Sequence, residues 1–370
     1  MRDTILAIAA TLMLPTAAFG QEGAPIAPPE PLAFRPVVEQ LIDRVILPGY
    51  AALAEASVAT ADAMAALCAA PGSDTLADSR AAFAELTVAW SGVEMFRMGP
   101  ARAENRFERM FFWPDRRGLG LRQVQAIIAD EDTTATDVDT LRAKSVAVQG
   151  LLALEYVLFG TGSDALAAPP ADGYRCLYGA AISGAIAANA VEMRDGWTAP
   201  DGYAAIMREP GPDNPVYRSH GEVVQDILRS AREQIQIVRD IKLARPLGDS
   251  PAAAIPTQAP FWRSNLTIAT IRANIDAVSA LIDPGGIGAI VPAGADWMGR
   301  SLQFELASAN TALATLKETG LDWESTVRSV EGYEKLAYTL IPLGSAFALL
   351  EQRIPAALGL TAGFNTLDGD

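Results

Sequence analysis

The chain has 370 residues, half of them hydrophobic, and a formal net charge of −15 at pH 7. Its length and apolar content can supply a large core, and its acidic balance without a basic cluster argues against binding to nucleic acid or to an anionic membrane surface. A single histidine, His220, excludes an H-E-x-x-H zinc site and any site that needs two histidine ligands.

The first 20 residues have the pattern of a secretory signal peptide. A short charged start is followed by an apolar run over residues 5–14, and the small residues Ala18 and Gly20 precede Gln21. The run is too short for a membrane span, and no later segment reaches the roughly 18 uninterrupted apolar residues that a span needs. We therefore predict cleavage after Gly20 and, in a double-membrane bacterium, a periplasmic mature protein without a membrane span.

Helical periodicity covers most of the chain that follows, and strand signals are few. Residues 34–69 are predicted to form one or two helices, with a break near Pro48. The other helices predicted in the first half cover residues 76–98, 121–130, 137–159 and 174–197. Those predicted in the second half cover residues 217–243, 262–282, 295–318 and 322–352. A segment rich in proline and glycine, 201–215, separates the two sets. We therefore predict an all-α protein with two consecutive up-and-down helical bundles, residues 21–200 and 216–370, and a linker between them.

The chain has two cysteines, Cys68 and Cys176, both on predicted helices of the first half. In an exported protein an even count suggests one disulfide. This bond would close a long loop, which the chain-entropy model values at about 4–5 kcal/mol. Two separate buried thiols are the alternative.

The segment VQGLLALEYVLFG, residues 148–160, contains one charged side chain, Glu155. On a helix, the leucines three or four positions away lie on the same side as this carboxylate. A carboxylate on an apolar face is costly unless something pairs with it. Three interpretations are open: a structural anchor paired with an arginine such as Arg97, a residue of a polar cleft, or a metal ligand.

Three further segments carry candidates for the same cleft. AWSGVEMFRMGP, residues 89–100, places Glu94 and Arg97 three positions apart on a helix. The loop RFERMFFWPDRRG combines aromatic residues with Asp115, and FWRSNLTI places Arg263 early in a helix of the second half. We expect these side chains and Glu155 to bind a ligand together if a cleft exists between the two bundles.

Taken together, these motifs resemble the imelysin-like, iron-regulated protein A family of exported bacterial proteins. The pattern W-x-x-x-E-x-x-R-x-G-P matches residues 90–100, and the aromatic-W-P-D segment is present. The G-x-H-x-x-E signature has Gly150 and Glu155 in place, with Leu152 at the histidine position. The resemblance implies a two-lobed all-α fold of pseudo-symmetric helical bundles and a role in handling iron or another metal in the cell envelope. Some relatives are classed as metallopeptidases.

Leu152 removes one of the two motif side chains that could share a metal ion from one helix face. A hydrolytic metal site needs several ligands and an open position for water. We therefore expect a non-catalytic binding or accessory component of metal uptake, with iron or another divalent metal weakly bound and with envelope iron-transport proteins as partners. A degenerate metallopeptidase and a structural envelope protein with partner-binding lobes are the alternatives.

Overall fold

Helices and turns make up the described part of the chain, residues 29–169 and 173–360 of a computed structural model, and these residues contain no β-strand. The all-α prediction is confirmed, whereas the predicted signal peptide, 1–20, lies outside the described residues. The α-helices of the first half are α1 (Phe34–Leu41), α2 (Leu47–Ala69), α3 (Ser73–Val93), α4 (Arg106–Met110), α5 (Leu119–Asp130), α6 (Val138–Arg142), α7 (Leu151–Phe159), α8 (Tyr174–Thr198) and α9 (Tyr203–Arg208).

The second half begins with α10 and contains the remaining α-helices. They are α10 (His220–Gln236), α11 (Arg245–Leu247), α12 (Thr267–Ile282), α13 (Ile287–Ile290), α14 (Trp297–Leu316), α15 (Trp323–Arg328), α16 (Val330–Ala348) and α17 (Ile354–Ala357). Three π-helical segments join neighbouring helices without a break: Ile42–Ile46, Ile237–Ala244 and Leu349–Arg353.

Two groups of long helices pack around one continuous hydrophobic core. In the first half α2 packs against α3 and α8, and in the second half α14 packs against α12 and α16. Helices α3 and α12 contact each other and thereby join the groups, while α1 packs against α10. The division into bundles 21–200 and 216–370 stays a prediction, and the predicted linker, 201–215, contains α9.

The single helix predicted over residues 137–159 is wrong, because the chain forms three short elements there. The Asp137 side chain caps α6, and the Ser145 side chain caps a 3₁₀ turn over Val146–Val148. Helix α7 begins only after Gly150, whose backbone is extended and approaches residue 109 closely. A Cβ at Gly150 would lie 2.5 Å from the carbonyl oxygen of Arg109, so only glycine fits this crossing.

The predicted break near Pro48 is also wrong, and the chain stays helical from Phe34 to Ala69. Pro48 lies in the first turn of α2, directly after a π-helical segment, and a proline is tolerated in a first turn. In contrast, α3 ends at Val93 instead of reaching residue 98. The consequence is that Glu94 and Arg97 lie at and beyond the end of the helix rather than within it.

The disulfide between Cys68 and Cys176 is present, as predicted, and ties the end of α2 to the first turn of α8. Among the described residues, two helical stretches, Pro31–Ala69 and Tyr174–Arg208, are long and apolar enough to cross a membrane by length and composition alone. Core helices of folded proteins meet the same criterion, and α2 and α8 pack against each other here.

Candidate functional site: a cavity between the two halves

A cavity of about 800 Å³ lies where the two halves of the chain meet. The first half contributes the loop before α5 and the side chains of α7, and the second half contributes the loop 255–263 and the end of its π-helical segment. Four of the predicted residues line this cavity: Asp115, Leu152, Glu155 and Arg263. The other two cleft candidates, Glu94 and Arg97, do not.

Aromatic rings build one wall of the cavity. Phe111 is buried, and its ring stacks at 5.4 Å on Phe261 from the second half and at 5.8 Å on Trp113. Phe112, Trp113 and Phe261 line the cavity itself. The segment 111–113 therefore packs the junction with Phe111 and offers its other two rings to the cavity.

Asp115 lies in the loop before α5 and is held in place by backbone N–H groups of that helix. Its Oδ1 accepts a hydrogen bond from the backbone N–H of Leu119 and its Oδ2 accepts one from Gly120, both at 2.8 Å. A carboxylate at this place satisfies free N–H groups of the first turn and favours the positive end of the helix dipole. Both oxygens of Asp115 are thus already engaged, although the residue lines the cavity.

Glu155 is buried in α7 and its side chain bonds to the second half of the chain. Oε1 accepts two hydrogen bonds from Ser264, one from the backbone N–H at 3.0 Å and one from the hydroxyl at 2.8 Å. Burial raises the pKa of Glu155 above its ordinary value, although Ser264 and Arg263 act in the opposite direction. Its hydrogen-bond partner is Ser264, and not Arg97 as the anchor interpretation expected.

Arg263 lies in the loop before α12 and beside two aromatic rings. The prediction that it lies early in a helix is wrong, because α12 begins only at Thr267. Its guanidinium carbon is 4.3 Å from the ring centre of Trp262 and 5.7 Å from that of Tyr156. Burial lowers the pKa of Arg263, while the nearby Glu155 acts to raise it. Within the described part of the chain, no carboxylate oxygen lies within the 4.0 Å of its nitrogens that defines an ion pair.

Glu94 and Arg97 belong to a separate buried group, the Glu94–Lys242 cluster, which consists of Glu94, Arg97, Lys242 and Asn274. Glu94 accepts hydrogen bonds from Nζ of Lys242 at 2.6 Å and from Asn274 at 3.0 Å, and Arg97 lies 3.7 Å from its other oxygen. Burial acts to raise the pKa of Glu94, but Lys242 and Arg97 outweigh it, so the pKa is lowered. The predicted cleft is therefore divided into a cavity and an ion cluster.

Lys242 was not predicted from the sequence, although helical periodicity places it on a buried face. It follows Val238 by four positions and Ile235 by seven, and all three side chains are fully buried. It lies in the π-helical segment Ile237–Ala244, a conformation that is frequent at functional sites. Its Nζ is 5.6 Å from the ring centre of Phe111 and 5.8 Å from that of Trp113, so the cluster adjoins the aromatic wall of the cavity.

The residues at the cavity do not fit a resident metal ion. Leu152 cannot coordinate a metal, Asp115 is engaged by the backbone of α5, and Glu155 leaves one oxygen. His220 lies at the start of α10, beside the carbonyl oxygen of Arg208 and away from the cavity. Across the described residues, no three or more His, Cys, Asp or Glu side chains are grouped to hold a metal. A hydrolytic metal centre needs more donors than this.

These features define an all-α protein whose two helical halves enclose a ligand-sized cavity at their junction. The sequence model of imelysin, a peptidase family, matches residues 46–344, and the chain therefore belongs to the imelysin family. A comparison with curated proteins found no match.

Solved structures show the same fold. An imelysin-like protein from Psychrobacter arcticum 273-4 superposes with a TM-score of 0.75 at 20% identity, over 92% of this chain and 100% of that one. A protein assigned as an iron-regulated protein A precursor, from Parabacteroides distasonis ATCC 8503, superposes with a TM-score of 0.72 at 16% identity, over 88% of this chain and 95% of that one. At these identities the likeness is one of fold.

Proposed function

We propose that this protein is an exported, non-catalytic binding protein that acts as an accessory component in the uptake of iron or another metal. The observation that carries the proposal is the cavity of about 800 Å³ at the junction of the two halves. It has aromatic walls and a small number of placed polar groups, which is the usual construction of a ligand site. The cavity is its proposed ligand site.

The chemistry of the lining supports binding over hydrolysis. The described residues around the cavity include no His, Cys, Ser or Lys, the side chains that most often serve as base or nucleophile. The two carboxylates, Asp115 and Glu155, already accept hydrogen bonds from the protein. The cavity therefore offers aromatic surface and charge to a ligand, and its described lining has no Ser–His or Cys–His pair.

The connection to iron has a different basis. One structural relative was assigned as an iron-regulated protein A precursor, and the N-terminal pattern of this chain is that of an exported protein. Envelope iron-transport proteins are the partners that such a role requires. A degenerate metallopeptidase and a structural envelope protein are the alternatives that the experiment must separate from it.

A deletion strain tests the proposal. We expect loss of the gene to slow growth and to lower cellular iron content in iron-limited medium, and wild-type protein to restore both. Leu152→Trp, which fills the cavity from α7, should not restore them. Val330→Trp places the same ring at a site that is 66% exposed and outside the cavity, and it should restore both.

Two results would contradict the proposal. Rescue by Leu152→Trp as complete as by wild type would support a structural envelope protein, because the cavity would then be dispensable. Cleavage of casein by the purified protein, abolished by Glu155→Gln, would support the metallopeptidase alternative. Circular dichroism of each variant establishes that it folds before its phenotype is compared.

A further inference from the structure

The positive side chains at the cavity are more available to a ligand than the negative ones. Three arginines, Arg116, Arg245 and Arg263, line it, against the two carboxylates of Asp115 and Glu155. In the described part of the chain none of these arginines makes an ion pair within the 4.0 Å limit. A cationic lining of this kind is unusual in a chain with a formal net charge of −15.

Both carboxylates already accept hydrogen bonds from other parts of the protein. Oδ1 of Asp115 accepts from the backbone N–H of Leu119, and Oδ2 accepts from those of Gly120 and Leu121, all in the first turn of α5. Glu155 receives both donors of Ser264 on Oε1. A cationic ligand would therefore have to compete with existing hydrogen bonds. An anionic ligand would find three guanidinium groups, none of them in a close ion pair within the described residues, although Glu155 lies near Arg263.

Arg263 is the best placed of the three arginines. Its guanidinium lies beside the rings of Trp262 and Tyr156, and among the described residues its N–H groups donate no hydrogen bond to the protein. Arg116 and Arg245 are exposed at the rim, so their charges are better screened by solvent. A planar guanidinium is suited to a bidentate contact with a carboxylate.

Aromatic surface lies close to this charge. Phe112, Trp113, Tyr156 and Trp262 all line the cavity, so an anion bound by Arg263 would have ring faces within reach. Rings favour flat, apolar ligand bodies through stacking and edge contacts. The combination selects a ligand with a carboxylate at one end and a planar ring attached to it.

We propose that the cavity binds a small aromatic carboxylate, with its carboxylate on Arg263 and its ring against the aromatic wall. The inference rests on the proposed function and names the ligand class of the same site. The shared chemistry could reach the protein as the free acid or as its ferric chelate. Both carry the aromatic acid, and both avoid the need for metal ligands that the cavity lacks.

Isothermal titration of the purified protein with salicylate tests the inference. We expect saturable binding of salicylate and much weaker binding of salicylamide, which has the same ring without the negative charge. Acetate, which has the charge without the ring, should also bind weakly. Arg263→Gln should weaken salicylate binding about tenfold or more, equivalent to about 1.4 kcal/mol. Arg263→Lys should bind with intermediate affinity, because it keeps the charge and loses the planar fork.

A matched control is available in Arg353, which lies 5.8 Å from the ring centre of Trp297 and outside the cavity. Arg353→Gln should bind salicylate as wild type does. Equal affinity for salicylate with and without ferric iron would assign the free acid, and tighter binding of the ferric complex would assign the chelate. Either result supports the inference.

Salicylamide binding as tightly as salicylate, or an unchanged affinity in Arg263→Gln, would overturn the inference. Binding of ferric iron alone, with none of salicylate, would overturn it as well. These failures differ from failure of the proposed function. If the cavity-filling variant Leu152→Trp still fails to support growth in low iron, the cavity keeps its role and only the ligand class is wrong.

Discussion

Lys242 donates a hydrogen bond of 2.6 Å to Glu94, and both side chains are fully buried although they come from opposite halves of the chain. Asn274 completes the contact by accepting from Lys242 at 2.7 Å and donating to Glu94 at 3.0 Å. The cluster adjoins the aromatic rings of the cavity wall. The junction that forms the cavity is therefore joined by charges as well as by apolar packing.

Lys242→Met should destabilise the protein by about 3–5 kcal/mol, because it leaves the Glu94 carboxylate buried without its main partner. The double variant Lys242→Met with Glu94→Gln should recover much of this loss. The free energy of unfolding from urea denaturation measures both. Lys335→Met is the control, since Lys335 pairs with the exposed Glu331 at 2.9 Å and its loss should change little. An equally small effect at Lys242 would contradict the burial of the pair.

The hydrogen bonds between Glu155 and Ser264 are the second polar contact across the junction. Glu155→Ala leaves the Ser264 donors without their acceptor, so we expect a loss of about 1–3 kcal/mol in the free energy of unfolding. Glu155→Gln keeps an acceptor and should cost less. In a double-mutant cycle, Ser264→Ala and Glu155→Ala should couple, whereas Ser308→Ala should add independently of Glu155, since its hydroxyl bonds within α14. If the effects of Ser264→Ala and Glu155→Ala on the free energy of unfolding simply added, the contact would not contribute to stability.

The two buried carboxyls should respond to pH in opposite directions. The pKa of Glu94 is lowered from 4.5, so its stabilisation is present above that pH and is lost as the pH falls through the folded-state value. The pKa of Glu155 is raised from 4.5, so its contribution is present below that pH and is lost as the pH rises through the folded-state value.

Denaturation over a pH series measures these effects. Relative to wild type, Glu155→Gln should gain in free energy of unfolding as the pH rises above 4.5. Glu94→Gln should lose relative to wild type as the pH rises towards 4.5 and then stay level. Both substitutions replace a buried glutamate with glutamine, so a difference between their pH curves reflects the surroundings of each residue and not the chemical change. Parallel curves would contradict the opposite pKa shifts.

Leu152→His should create a metal site beside Glu155. The imidazole would lie three positions before Glu155 on α7 and line the same cavity, and both donors of Ser264 reach Oε1 of Glu155 rather than Oε2. We expect zinc and ferrous iron to bind about tenfold more tightly than to wild type, a gain of about 1.4 kcal/mol. Isothermal titration measures it, and Leu152→His with Glu155→Ala should return to the wild-type value. A folded single variant that binds no better would show that position 152 does not serve a metal site.

Loss of the disulfide should lower stability through the unfolded chain. Cys68 and Cys176 are 108 residues apart, and a loop of that size is worth about 4–5 kcal/mol in the chain-entropy model. The double variant Cys68→Ser with Cys176→Ser should show this loss in urea denaturation. Wild-type protein, denatured without reductant, should release no titratable thiol. Two free thiols would mean that the bond does not form in solution.

The helical class, the pairing of the two cysteines and several residues around the cavity could be predicted from the sequence. These properties depend on local periodicity, on composition and on spacing within a helix, all of which can be read along the chain. The three elements between 137 and 159 could also have been predicted from the sequence. Asp137 and Ser145 are residue types that cap helices, and Gly150 is a residue type that interrupts them, but the apolar pattern hid these signals. Helical periodicity alone joins them into one helix.

The pairing of the buried polar groups could not be predicted from the sequence, because it depends on how the helices pack. Glu155 bonds to a serine 109 residues later, and Glu94 bonds to a lysine 148 residues later. The choice of Lys242 over Arg97 as the main partner of Glu94 depends on how α3, the π-helical segment and α12 pack, and no spacing in the sequence encodes that packing. The charge of a carboxylate predicts that its partner is a donor or a cation. Which residue fills that role depends on packing, because a buried carboxylate must be satisfied by the donors that the packed helices place next to it.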